Sequence, residues 1–139
     1  KRVQPTLDQL LAKFDGKVKL VFRDFPIDQL HPQARKAHEA ARCAHEQGKF
    51  WSFHDRVYLA SEELTADDLD GLVQATGLNE ERFNRCIVSG QFKDAVEQDF
   101  ADAGAAGSRG TPTWIVNGQK LEGYLTYETW ERIAAELLK

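Results

Sequence analysis

Two β signals stand near opposite ends of this chain, and almost everything between them reads as helix. "KVKLVFRDFP" (residues 17–26) alternates and then runs apolar through Val18, Leu20, Val21 and Phe22 until Pro26 stops it, which predicts a buried strand over 18–23. "TWIVNGQKLEGY" (113–124) sets Trp114, Ile115 and Val116 opposite Leu121 across Asn117-Gly118, a dipeptide that tolerates the positive φ both positions of a tight hairpin turn need. Strands separated by a long helical block, with further helices outside them, predict an α/β sandwich carrying a helical insertion.

The helical signals are periodic and mostly capped. Val3, Leu7, Leu10, Leu11 and Phe14 predict an amphipathic helix over 1–14 that starts near Val3 or kinks near Pro5, where proline's missing N–H and crowding ring are tolerable. From Pro32 onward, Ala34, Ala37, Ala41 and Ala44 form a small-residue stripe ending at Gly48, and "KFWSFHDRVYLAS" places Phe50, Trp51, His54, Val57 and Tyr58 at helical spacing. Thr65 with Asp68 forms a capping-box variant ahead of Leu69, Leu72 and Val73, and Asn79 caps a helix facing inward through Phe83, Cys86 and Ile87. After Ser89-Gly90 a helix carries Phe92, Val96, Phe100 and Ala103. The last, capped by Thr126, presents Trp130, Ile133, Ala134 and Leu137.

At 139 residues the chain is the size of one domain with a real core. Its net charge of -4 leaves no basic stripe for phosphates, so nucleic acid is not an expected partner. No apolar run approaches the roughly 20 residues that cross a bilayer, and "KRVQPTLDQL" lacks the apolar segment of a signal peptide. Residues 1–139 are therefore expected to be soluble, and an export leader would lie outside them. The histidines His31, His38, His45 and His54 read as solvated helix residues rather than a metal set, although His38 and His45 share a face. The acidic pairs Glu62-Glu63, Asp67-Asp68 and Glu80-Glu81 read as helix-start charges, and Trp51, Phe53 and Tyr58 as insertion core. Cys43 and Cys86 have no metal-ligand spacing and read either as two buried thiols or as a pair.

Three segments in order, "AARCAHEQGKFWSFHDRVY" (40–58), "LNEERFNRC" (78–86) and "GTPTWIVNG" (110–118), resemble the DsbA-like branch of the thioredoxin superfamily over essentially the whole chain. The resemblance implies a thioredoxin-like fold with an all-helical insertion between the second strand and the cis-proline hairpin. Residues 1–30 and 107–139 would form the incomplete thioredoxin-like domain, and 31–106 the insertion. It also implies a Cys-x-x-Cys pair at the start of the first helix, immediately before Lys1. Neither that pair nor the first strand lies within residues 1–139, which leaves a fragment, an ordered core or a non-redox relative as open readings.

In the family arrangement the absent strand sits between 18–23 and 113–117. Its place is expected to be filled by rearrangement, by exchange with a second copy in a homodimer, or by a bound peptide. The resemblance further implies a structural disulfide between Cys43 and Cys86, and hence an oxidising, extracytoplasmic setting such as the periplasm. Thr111 and Pro112 become the cis-proline loop, with Thr111 turning its backbone toward an extended substrate. The implied activity is disulfide exchange with extended or unfolded proteins, recharged by a redox partner protein and using no cofactor or metal. Without the Cys-x-x-Cys pair, residues 1–139 alone are expected to be inactive. The alternative is a non-catalytic thioredoxin-like module that binds peptides or serves a structural role.

Overall fold

In the computed structural model, which describes residues 2–60 and 64–139, the elements follow in the order α1 (Gln4–Lys13), α2 (Ala34–His45), α3 (Phe50–Leu59), α4 (Ala66–Ala75), α5 (Glu80–Ser89), α6 (Lys93–Ala105), β1 (Thr113–Val116), β2 (Gln119–Glu122) and α7 (Tyr127–Leu137). They form two compact units, Lys1–Arg23 with Arg109–Lys139, and Asp24–Ser108. Glu62 and Glu63 lie outside the described residues.

In the first unit, Pro5 occupies the opening turn of α1, where its lack of an N–H removes nothing the helix would use. The helix therefore begins there and is not kinked at Pro5. Leu10 buries against Trp130 and Ala134 of α7, with Phe14, Val18, Trp114, Val116, Leu125 and Ile133 packed around them. Leu137 departs from its predicted inward place and is 45 % exposed, because the last turn of α7 lies beyond this cluster. The hairpin forms as the turn chemistry requires, with Asn117 at φ 47° and Gly118 at φ 85° joining β1 to β2 in the register Thr113↔Glu122, Trp114↔Leu121, Ile115↔Lys120 and Val116↔Gln119.

The strand expected over 18–23 does not form. Among the described residues the sheet has two strands, β1 and β2, and 18–23 pairs with neither. Its burial still alternates, with Val18, Leu20 and Phe22 half-buried and Lys19, Val21 and Arg23 exposed. Side-chain alternation alone makes no ladder: a strand needs a neighbouring backbone at bonding distance, and Val21, 60 % exposed, is not buried on a second face.

The second unit is helical. Of the small-residue stripe of α2, Ala34 is only half-buried. Ala37, Ala41 and Ala44 are buried and, with Ala40, which the stripe omitted, pack with Phe53 of α3, Leu69 and Val73 of α4, and Leu78, Phe83 and Cys86 in and before α5. Thr65 and Asp68 close a reciprocal capping box, and Asn79 accepts from the Arg82 N–H at 2.9 Å. Residues 24–30 stay with these helices: Asp24 bonds to α2 and α6, and the Phe25 ring lies 5.0 Å from that of Phe100.

Trp51 and Tyr58 are not core, being 42 % and 40 % exposed. Helix α3 turns Phe53 and His54 fully inward and Phe50 and Val57 partly so, which rotates Trp51 and Tyr58 to its margin. They flank His54 there, with ring centroids at 5.2 Å and 4.7 Å.

Candidate functional site

The loop before β1 is held at each of its ends by a hydrogen bond. Thr113 Oγ1 donates to the Gly110 carbonyl at 2.7 Å, and the Gly123 N–H donates to the Pro112 carbonyl at 2.9 Å. Gly123 makes that bond at φ 80°, a conformation an L side chain would strain. The Thr111–Pro112 peptide bond is cis. Between the two anchored carbonyls Thr111 is exposed, and neither its N–H nor its carbonyl is engaged by any described residue. A fixed loop with one free donor and one free acceptor on its main chain can pair with an extended polypeptide as an added strand.

Charged groups border the loop. Tyr124 follows Gly123, and the Arg2 guanidinium lies over its ring, 5.1 Å from the centroid. On β2, Lys120 Nζ reaches Glu122 Oε1 at 2.9 Å. That hydrogen bond and charge, helped by Arg109, hold the Glu122 carboxyl below its ordinary value.

Cys43 and Cys86 are bonded to each other, joining α2 to α5 with their Cα atoms 5.9 Å apart. Both cysteines of the chain are thereby consumed, far in sequence from the loop. The histidines divide: His31 and His45 are exposed, but His38 and His54 are not the solvated residues their helical positions suggest. His54 is buried among Phe50, Trp51 and Tyr58 with Nδ1 3.0 Å from Asp55 Oδ1, and His38 Nδ1 lies 2.8 Å from Asp24 Oδ1. His38 and His45 thus serve different surroundings despite sharing a face.

The Asp24 contact belongs to a buried charged cluster that sequence reasoning missed. Asp24 is 2 % exposed; its carboxylate also accepts from Arg42 Nε, its N–H donates to Asp99 Oδ2 at 3.0 Å, and Arg42 Nη2 reaches the same oxygen at 2.7 Å. Burial alone would raise the Asp24 carboxyl, but the hydrogen bonds and charges of His38 and Arg42 outweigh it and hold it below its ordinary value. A signal was present: Asp24 falls on the inward parity of Val18, Leu20 and Phe22, and His38 and Arg42 are one helical turn apart.

The thioredoxin family pattern matches residues 1–135. The crystal structure of a thioredoxin-like oxidoreductase from Silicibacter pomeroyi superposes with a TM-score of 0.85 at 25 % identity, over 99 % of this chain and 77 % of that one. The thiol-disulfide exchange protein α-DsbA2 from Wolbachia pipientis gives a TM-score of 0.86 at 24 % identity, over 98 % and 73 %. Among curated proteins, a Na+/H+ antiporter NhaA 3 from Salinispora tropica is 33 % identical over 122 residues, 88 % of this chain and 19 % of that protein. An NhaA antiporter from Herminiimonas arsenicoxydans is 35 % identical over 84 % of this chain and 18 % of its own length. The chain spans about a fifth of the length of the curated relatives it matches, and no described helix is long and apolar enough to cross a membrane. The chain belongs to the thioredoxin family and has the DsbA-like form of its fold.

Proposed function

We propose that residues 1–139 are the substrate-holding body of an exported thiol-disulfide oxidoreductase, with the loop at Thr111 and Pro112 as one wall of its active site. An extended protein segment pairs with the Thr111 backbone, which places its sulfur beside a Cys-x-x-Cys pair supplied from outside these residues. The thiolate of one partner attacks the other's disulfide, a mixed disulfide forms as one sulfur leaves as thiolate, and the second cysteine of the pair resolves it. Residues 1–139 alone do not turn over, because their only two sulfurs are spent on each other. A redox partner protein restores the pair after each cycle.

The observation that carries this reading is the unengaged main chain of Thr111, held between anchored neighbours in a chain of the thioredoxin family. The Cys43–Cys86 bond supports an extracytoplasmic, oxidising setting such as the periplasm, since such bonds are reduced in most cytosols.

A second reading, a non-catalytic thioredoxin-like module that binds peptides within a larger polypeptide, is favoured by the antiporter relatives, which are about five times the length of the match. The codons immediately before Lys1 separate the two: a Cys-x-x-Cys there supports the oxidoreductase, and any other tetrapeptide sinks it in favour of the module. A second copy of the chain is a further candidate partner, docking on the edge of β1 that β2 leaves open. Sedimentation of the pure chain as a monomer would exclude it.

A further inference from the structure

Resting on the peptide-holding reading of the Thr111 loop, we propose that Arg2, whose guanidinium lies over Tyr124, selects substrate segments carrying a carboxylate side chain next to the residue that pairs with Thr111. The Gly123 N–H is bonded to the Pro112 carbonyl, so Tyr124, the next residue along, starts directly beside the loop. Its ring is half-exposed and carries the Arg2 guanidinium 5.1 Å above it.

The chemistry of that pair points to an anion. A guanidinium held over an aromatic ring by its charge keeps N–H donors for a second partner, and their fork matches a carboxylate in bidentate geometry. Arg2 meets no carboxylate among the described residues, whereas Arg109 and Lys120 on the other flank already act on Glu122. In a chain whose net charge is -4, the Tyr124 ring thus carries a cation that no carboxylate of the described residues meets. The ring also restrains the Arg2 side chain, reducing the rotamer entropy lost on pairing. An extended chain with its backbone on Thr111 sends neighbouring side chains to alternate sides, and the selected carboxylate is the one sent to the Tyr124 side.

The test is an NMR titration of the disulfide-intact chain with three octapeptides built on one Val/Thr frame. Each carries serine in place of the reactive cysteine and differs only in the adjacent residue, aspartate, asparagine or lysine. Expected are movement of the Thr111 amide resonance and a Kd for the aspartate peptide about threefold below that of the asparagine peptide. The lysine peptide should be weaker than both, and the preference should shrink as salt is raised. Arg2→Gln should bring the aspartate-to-asparagine ratio to one, Tyr124→Leu should reduce it, and the distant Arg85→Gln should leave it at the wild-type value. If Thr111 moves equally with all three peptides, or Arg2→Gln keeps the ratio, selection by Arg2 is overturned while peptide holding stands. If no peptide moves Thr111, peptide holding falls and this inference falls with it.

Discussion

Trp114 donates its indole N–H to the carbonyl of Gly123 at 3.0 Å, and Gly123 in turn gives its own N–H to Pro112. One residue of the hairpin thus holds the strand-end residue that anchors the loop. The ring making the bond is itself half-buried and packs edge-on against the core residue Trp130, with centroids 5.0 Å apart.

Trp114→Phe keeps an aromatic ring in that seat and removes the donor. The expected loss of stability is about 1 kcal/mol. Hydrogen exchange at the Gly123 amide should accelerate, since its carbonyl is no longer tied. An unchanged exchange rate would mean that the indole does not hold this end of the loop.

Arg42 lies between two buried carboxylates, Asp24 and Asp99. Arg42→Met leaves them facing each other without their cation, and the urea midpoint should fall by the equivalent of about 3 kcal/mol, the low end for a broken buried pair because Arg42 is itself partly exposed. Arg85→Met breaks only the exposed Arg85–Glu81 pair and should leave the midpoint in place. Equal effects would show the buried cluster to be energetically ordinary.

Asp24 also predicts the acid limb of the stability profile. Its carboxyl is held below the ordinary 3.8 in the folded chain, so its contribution is complete above that value and disappears as the pH falls through the lower folded value. The wild-type urea midpoint should drop more steeply below about pH 4 than that of Asp24→Asn, which is less stable at neutral pH but flatter in acid. Parallel curves would remove Asp24 from the acid transition.

The Cys43–Cys86 bond joins residues 43 apart in sequence. On the chain-entropy account, closing a loop of that length restricts the unfolded chain by about 4 kcal/mol. Reduction, or the double substitution Cys43→Ala/Cys86→Ala, should lower the denaturation midpoint by up to that amount. An unchanged midpoint under full reduction would show that the helices around Phe53 and Phe83 hold without the bond.

The hairpin turn at Asn117-Gly118 and the caps at Thr65, Asn79 and Thr126 were legible because they depend on residues within three or four positions of each other. The proline before a strand was likewise a local cue to the loop. The Arg2–Tyr124 pair was not legible, because its two residues come from opposite ends of the chain and meet only when Tyr124 is brought beside α1's N-terminal residues.

By itself, then, the sequence determined where helices start, where the chain turns and which family pattern it follows. Tertiary structure decided three things that local chemistry leaves open. Helix α3 carries apolar residues on two overlapping stripes, and only its neighbours determine that Phe53 and His54 go inward while Trp51 and Tyr58 stay at the margin. Segment 18–23 has a strand's alternation, but a ladder depends on pairing with another strand, and among the described residues neither β1 nor β2 pairs with it. Asp24 reads as a loop acid until α2 and α6 bring Arg42, His38 and Asp99 around it, since a charge can stay buried only where distant residues supply its partners.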